Sequence, residues 1–267
     1  KDDPFFVYYP MALVHDPFRP TPDSKDWNDL DKRNVGNNSK YFSDMVTYMD
    51  KVVGKITDAL KKNNLDKNTI LIFLGDNGTD TKVVTLNNGK EIKGSKGGSI
   101  KFASNVPMIV NWNKHIKDSR TSDALIDFTD FYTTFEDILD IENPDSYGKS
   151  LLPLILNDGY KQRDVLITYY NPMWGTRVLD RGVYAQNKTY KLYKSGKFFK
   201  YSEDLFEENS LLLSKLSEKE NEIYNFLKKS LDSVPDLPKE NHNGWKERGK
   251  QVKQSNKFNL IWQLNTK

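Results

Sequence analysis

The sequence predicts an α/β domain whose mainly parallel sheet lies between helices in an α/β/α sandwich, followed by a small domain of antiparallel sheet and helix. Three observations carry this. Apolar and amphipathic runs follow one another through residues 4–139 as strand, helix, strand, loop, strand, helix. The apolar run at residues 68–74 lacks in-out alternation, as a strand covered on both faces does. After Arg163 the runs become aromatic and partly alternating, with short turns between them. The expected boundary is at residue 160, dividing residues 1–160 from residues 161–267.

PFFVYYPMAL, residues 4–13, is aromatic and β-branched and stops at the proline-rich HDPFRPTPDS of residues 15–24. It reads as a buried strand feeding a long loop. Across residues 39–63, Phe42, Met45, Val46, Met49, Val52, Val53, Ile56 and Leu60 form one helical stripe. Residues 68–74 are a short β-rich run, residues 79–104 a polar, Gly-rich loop, and VPMIVNW, residues 106–112, a third strand. A second helix is expected over residues 123–139, with Leu125, Ile126, Phe131 and Phe135 on its apolar side. SYGKSLLPLIL, residues 146–156, reads as a short covering helix. DVLITYY, GVYAQNKTYKLYK and GKFFKYSED suggest the small antiparallel sheet, and spaced leucines suggest a helix over residues 205–231. Residues 236–257 are polar, and FNLIWQL, residues 258–264, is apolar enough to dock.

The totals exclude several classes. With 40 basic against 37 acidic residues, the formal charge of the 267-residue chain is only +3. A nucleic-acid binder gathers its basic residues into one patch or stripe, so none is expected as partner. There is no cysteine, which removes disulfides, cysteine zinc sites and thiol nucleophiles from this stretch. No apolar run approaches a membrane span. The chain opens KDDPFF, without an initiator Met, and enters an apolar run at once. It is therefore expected to be part of a longer protein, with any export signal upstream.

LIFLGDNGTD, residues 71–80, is the stretch richest in chemistry. An apolar strand ends at Gly75, and Asp76 and Asn77 follow side by side. In open parallel sheets ligands bind beyond the carboxyl ends of the strands. A carboxylate and an amide carbonyl are hard oxygen donors suited to Ca²⁺ or Mg²⁺. Asn-Gly is also the commonest hairpin dipeptide, so a tight turn stands as the alternative. His15, one of three histidines, follows the first strand in a loop stiffened by Pro10, Pro17, Pro20 and Pro22. It could donate to an anionic oxygen or act as a general acid, or simply bond a loop carbonyl. KGSKGG, residues 93–98, sets Lys93 and Lys96 among small residues, where an ammonium can reach an oxyanion. Position alone does not separate the two lysines. His115 and His242 read as surface residues. Tyr169, Tyr170, Asn171 and Trp174 form a knot that could face a sugar or a domain junction.

FFVYYPMALVHDPFRPTPDS, YMDKVVGKI, ILIFLGDNGTD, KGSKGG with VPMIVNW, LIDFTDFYTTFEDIL and YKLYKSGKFF, in that order, resemble the sulfatase family of the alkaline phosphatase superfamily. The likeness spans most of residues 4–205 and is nearest to arylsulfatase-type members. It implies a partial alkaline-phosphatase-like fold. It implies that Asp76 and Asn77 are two divalent-cation ligands, usually for Ca²⁺ and with Mg²⁺ as the other option. His15 matches the histidine on the sulfate and leaving-group side. Lys96, eleven residues before Pro107, matches the sulfate-binding lysine. Lys101, Phe102, Ala103, Ser104 and Asn105 depart from the family pattern, which has an acidic or Gly-rich stretch and an Arg there.

The family also carries two further Asp ligands and a C-x-P-x-R or S-x-P-x-R motif whose Cys or Ser becomes formylglycine. Neither motif occurs here. The resemblance therefore implies that formylglycine, whose hydrate attacks sulfur, is supplied by an N-terminal segment. The expected activity is hydrolysis of a sulfate monoester, on a sulfated small molecule or carbohydrate, in a periplasmic or secreted protein. This chain alone is expected to be inactive. The alternatives are a phosphodiesterase or phosphonate monoester hydrolase of the same superfamily, and a non-catalytic binding protein that keeps the fold.

Overall fold

A computed structural model describes residues 3–141, 148–171 and 181–237. The chain divides into two compact units. One comprises residues 1–96 and 106–118, the other residues 97–105 and 119–267. The boundary expected at residue 160 falls inside the second unit. Trp174, His242, FNLIWQL and most of residues 236–257 lie outside the described residues.

In the first unit α1 (Leu30–Asn34) precedes the long helix α2 (Phe42–Lys62), which is entered through a 3₁₀ turn at Ser39–Tyr41. The stripe read from the sequence turns inward at Met45. Phe18, Tyr41, Met45 and Val83 form the buried core of this unit, and Phe18 meets Phe42 edge to face at 5.8 Å. A turn leads from α2 to β1 (Leu71–Leu74). The chain then forms β2 (Val84–Asn87) and β3 (Lys90–Lys93), an antiparallel hairpin inside the stretch expected to be loop. Its turn residues Asn88 and Gly89 have φ of 50° and 79°, the left-handed backbone that a two-residue hairpin requires. In sequence a short α3 (Lys101–Ser104), which belongs to the second unit, precedes β4 (Met108–Asn111) of the first.

Two expectations are corrected here. Residues 4–13 form no assigned strand, and Phe5, Phe6, Val7, Tyr8 and Tyr9 are exposed, Tyr8 at 79%. An apolar run is buried only where a neighbour covers it, and β1 pairs with β4, not with this run. Pairing among the described residues is also antiparallel throughout, not mainly parallel. Leu71 opposes Asn111 and Leu74 opposes Met108. A parallel neighbour needs a crossover, usually a helix. Between β1 and β4 the chain instead makes a hairpin and one helical turn.

In the second unit α4 (Thr129–Ile138) begins later than the apolar spacing suggests. The Asp127 carboxylate accepts the Thr129 N–H at 2.9 Å and stops the helix from extending upstream. Asp130 is fully buried. It accepts the N–H groups of Asp127 and Lys149, at 2.7 and 2.8 Å, and pairs with Arg163. The covering helix is reduced to α5 (Leu152–Leu156), with Pro153 in its first turn.

Strands β5 (Leu166–Tyr170), β6 (Gly182–Gln186), β7 (Lys191–Tyr193) and β8 (Phe198–Phe199) make the expected antiparallel sheet in that order. Helix α6 (Glu218–Leu231) packs Leu227 and Leu231 against Val183, Ala185, Leu192 and Phe198. The helix expected from residue 205 starts only at Glu218 because Ser217 and Glu220 form a capping box. The earlier leucines lie in loop and a 3₁₀ turn at Leu213–Lys215. Ser217→Ala is expected to cost about 1 kcal/mol, read as a lower melting temperature. No helix among the described residues is long and apolar enough to cross a membrane.

Candidate active site

Asp76 and Asn77 stand immediately past the carboxyl end of β1. Gly75 precedes them where space for a side chain is tight. A Cβ there would lie 3.1 Å from the Val106 Cβ, and the Gly75 N–H already bonds the Pro107 carbonyl at 3.1 Å. Asn77 and Gly78 do not form a left-handed two-residue hairpin turn. The left-handed hairpin backbone is found at Asn88 and Gly89, not here.

Two loops reach the segment that follows. The first carries His15. Its neighbour Asp16 takes the Lys82 ammonium at 2.7 Å. That bond holds the Asp16 carboxyl below its ordinary pKa, with the charges of Lys82 and His15 adding to it. The His15 Nδ1 lies 2.5 Å from the Asp16 carbonyl. A carbonyl only accepts, so Nδ1 carries a proton. Nε2 is then the nitrogen left for a ligand, and it donates only when the ring is doubly protonated. The ring is 57% exposed, so it remains open to one.

The second loop carries Lys96. The Lys96 N–H bonds the Thr79 carbonyl at 3.0 Å, and the Gly94 N–H bonds the Val83 carbonyl at 2.9 Å. Gly94 is required by this close approach, since a Cβ would lie 2.1 Å from the Asp80 carbonyl oxygen. The structure thus separates the two lysines. Lys93 ends β3 and is exposed, whereas Lys96 lies beyond the hairpin, beside Thr79. The Ser95 hydroxyl next to it is buried and has no hydrogen-bond partner among the described residues.

Backbone and ion-pair contacts therefore bring the loops of His15 and Lys96 onto residues 79–83, just after Asp76 and Asn77. Sequence reasoning missed the Asp16–Lys82 tie, because nothing local marks Lys82 as the partner of a residue so far away. His115 stacks on Trp112 at 3.8 Å between ring centroids and is exposed, as a surface histidine should be.

Asp76 and Asn77 have the donor chemistry that Ca²⁺ or Mg²⁺ takes, but only two donors against the roughly six to eight that Ca²⁺ needs. The next acid, Asp80, turns its carboxylate onto the Lys82 N–H at 2.8 Å. Among the described residues no group of three or more His, Asp or Glu could hold a metal. These residues fit part of a coordination shell, not a whole one.

The α/β unit and following antiparallel sheet have the architecture of solved sulfatases, an alkaline-phosphatase-like fold. The family model described as Sulfatase matches residues 1–141, over half of the chain, and the chain belongs to that family. A second model, described as N-sulphoglucosamine sulphohydrolase, C-terminal, matches residues 100–234. An endo-4-O-sulfatase of Bacteroides thetaiotaomicron is 26% identical over 273 aligned positions, 87% of this chain and 52% of that protein. A structure associated with metabolism of multiple glycosaminoglycans by the same organism has a TM-score of 0.65 at 19% identity, covering 87% of this chain and 50% of that one. Another, in complex with its substrate D-glucosamine-2-N,6-O-disulfate, has a TM-score of 0.60 at 23% identity, covering 75% of this chain and 43% of that one. The chain spans about half the length of the relatives it matches.

Proposed function

We propose that the whole protein hydrolyses a sulfate monoester on a sulfated carbohydrate, and that this chain supplies one side of the active site. The observation that carries the reading is the meeting of the His15 and Lys96 loops at the segment after Asp76 and Asn77. An oxyanion is held by donors from several loops, preorganised before reaction. Lys96 binds a sulfate oxygen as a point charge. His15 faces the leaving-group oxygen through Nε2 and gives it a proton as the S–O bond breaks. Asp76 and Asn77 are two of the ligands of a divalent cation, Ca²⁺ by family resemblance, which when bound supplies positive charge beside the sulfate oxygens.

The remaining ligands and the formylglycine nucleophile belong to the part of the family's length that this chain does not span. Residues 1–160 are read as part of the catalytic domain and residues 161–267 as its C-terminal subdomain. A sulfated carbohydrate is favoured because a similar protein, 26% identical over 62% of this chain, is named for a sugar, the N-acetylgalactosamine-6-O-sulfatase of Bacteroides thetaiotaomicron. A periplasmic or secreted location goes with that substrate.

The test uses the full-length, formylglycine-matured protein with a sulfated disaccharide, para-nitrophenyl sulfate and bis-para-nitrophenyl phosphate. Sulfate release is expected, with the phosphodiester cleaved far more slowly. The reverse preference would move the protein to the phosphodiesterase reading, and no turnover of any of the three to the binding-protein reading. Lys96→Ala is expected to weaken inhibition by inorganic sulfate about 10- to 100-fold, the size of a lost charged hydrogen bond.

A further inference from the structure

Gly97 follows Lys96 directly and has a left-handed backbone, φ +84°. Within the second unit, side chains from the antiparallel sheet hold the residues that come next. The Tyr170 hydroxyl donates to the Gly97 carbonyl at 3.0 Å. The Lys191 ammonium donates to the Ser99 carbonyl and pairs with Glu207 at 2.8 Å. Tyr193 donates to Glu207 at 2.5 Å, and its hydroxyl lies 3.0 Å from that of Ser99. The Lys191 and Glu207 side chains are 1% and 3% exposed. The ammonium also lies 3.9 Å from the centroid of the Tyr184 ring.

A buried ion pair is a poor way to stabilise a core, since apolar residues of like volume do as well or better. An apolar pair, however, cannot hold a main-chain carbonyl. We propose that Tyr170 and the Lys191–Glu207–Tyr193 cluster are positioning residues for Lys96, fixing the backbone at Gly97 and Ser99 from which the lysine is presented to the substrate oxyanion. This rests on the sulfate-binding role given to Lys96 above. A flexible four-carbon stem gains most from a fixed origin, because less freedom remains to be lost on binding. The knot at Tyr169 to Asn171, read from sequence as facing a sugar or a junction, then acts through its second tyrosine on the loop of the lysine.

The experiment measures inhibition of para-nitrophenyl sulfate turnover by inorganic sulfate in the full-length, matured enzyme. Tyr170→Phe and Lys191→Met are each made alone and together with Lys96→Ala. Each alone is expected to weaken sulfate inhibition and raise KM about 3- to 10-fold, with kcat changing less. Neither is expected to add to the effect of Lys96→Ala, the non-additivity of residues acting through one group. If Lys191→Met does not fold, Tyr170→Phe carries the test, since it removes one hydroxyl from a partly exposed ring. Equal losses with and without Lys96, or a lower melting temperature with unchanged sulfate inhibition, would overturn the proposal. If Lys96→Ala itself leaves sulfate inhibition untouched, the role of Lys96 has failed, and the positioning of it fails for that separate reason.

Discussion

Asp76→Ala in the full-length enzyme is expected to lower sulfate release by about 10²–10³-fold, the range seen when one fixed electrostatic contact to a transition state is lost. Melting temperature should hardly change. Asp76 is exposed, and none of the hydrogen bonds described above uses its carboxylate. It sits where β1 stops and contributes nothing to the core of the first unit. The proposed ligand role can therefore be removed without removing a structural one. Asp76→Asn keeps the shape and an oxygen donor but drops the charge, so its activity should fall less and recover in part as Ca²⁺ is raised. Sulfate release measured against Ca²⁺ concentration tests both variants. Wild-type rates in Asp76→Ala would remove this residue from the site.

Local signals in the sequence reach as far as local physics does. The stripe from Phe42 to Leu60 makes a helix wherever it finds a core, and α2 follows it closely. Gly75 before Asp76 announces a strand that must end tightly, and β1 ends there. Strand direction is not local. β1 looks like a parallel strand because it is apolar throughout, yet β4 meets it antiparallel, since no crossover helix intervenes. The Asn-Gly pair at Asn77 and Gly78 suggests a hairpin turn, but the left-handed backbone is not found there. The true hairpin formed at Asn88 and Gly89 between exposed strands, whose mixed polarity hides them. In the candidate site His15, Lys96, Asp76 and Asn77 could each be picked out by residue type and neighbours. Lys82, Glu207 and Lys191 could not, because a charged residue in a polar stretch shows its partner only in three dimensions.

Glu207→Gln is expected to destabilise the second unit by about 3–5 kcal/mol near neutral pH, because it leaves the buried Lys191 charge without its counter-ion. The loss should shrink as pH rises. Burial lowers the Lys191 pKa from its ordinary 10.5, and Glu207 opposes that shift. Without Glu207 the lowering is unopposed. Between the lowered value and 10.5 the folded state has shed the proton that the unfolded chain still binds. Stability rises with pH wherever the unfolded state holds more protons, so the variant should gain on wild type through this window. Tyr193 works in the other direction above its ordinary 10.0. Burial and its bond to Glu207 raise its pKa, so the folded state keeps a proton that the unfolded state loses. Melts of the full-length protein should therefore be compared at about pH 7 and about pH 9.5, below that crossover. A gap that stays constant would mean that Lys191 holds the same protonation state in the two proteins across this range, and that Glu207 does not set it. Replacing the pair by Lys191→Met with Glu207→Leu should restore much of the stability, since it removes both charges. It cannot restore the bond to the Ser99 carbonyl, so sulfate inhibition should stay weakened in a protein that is otherwise well folded.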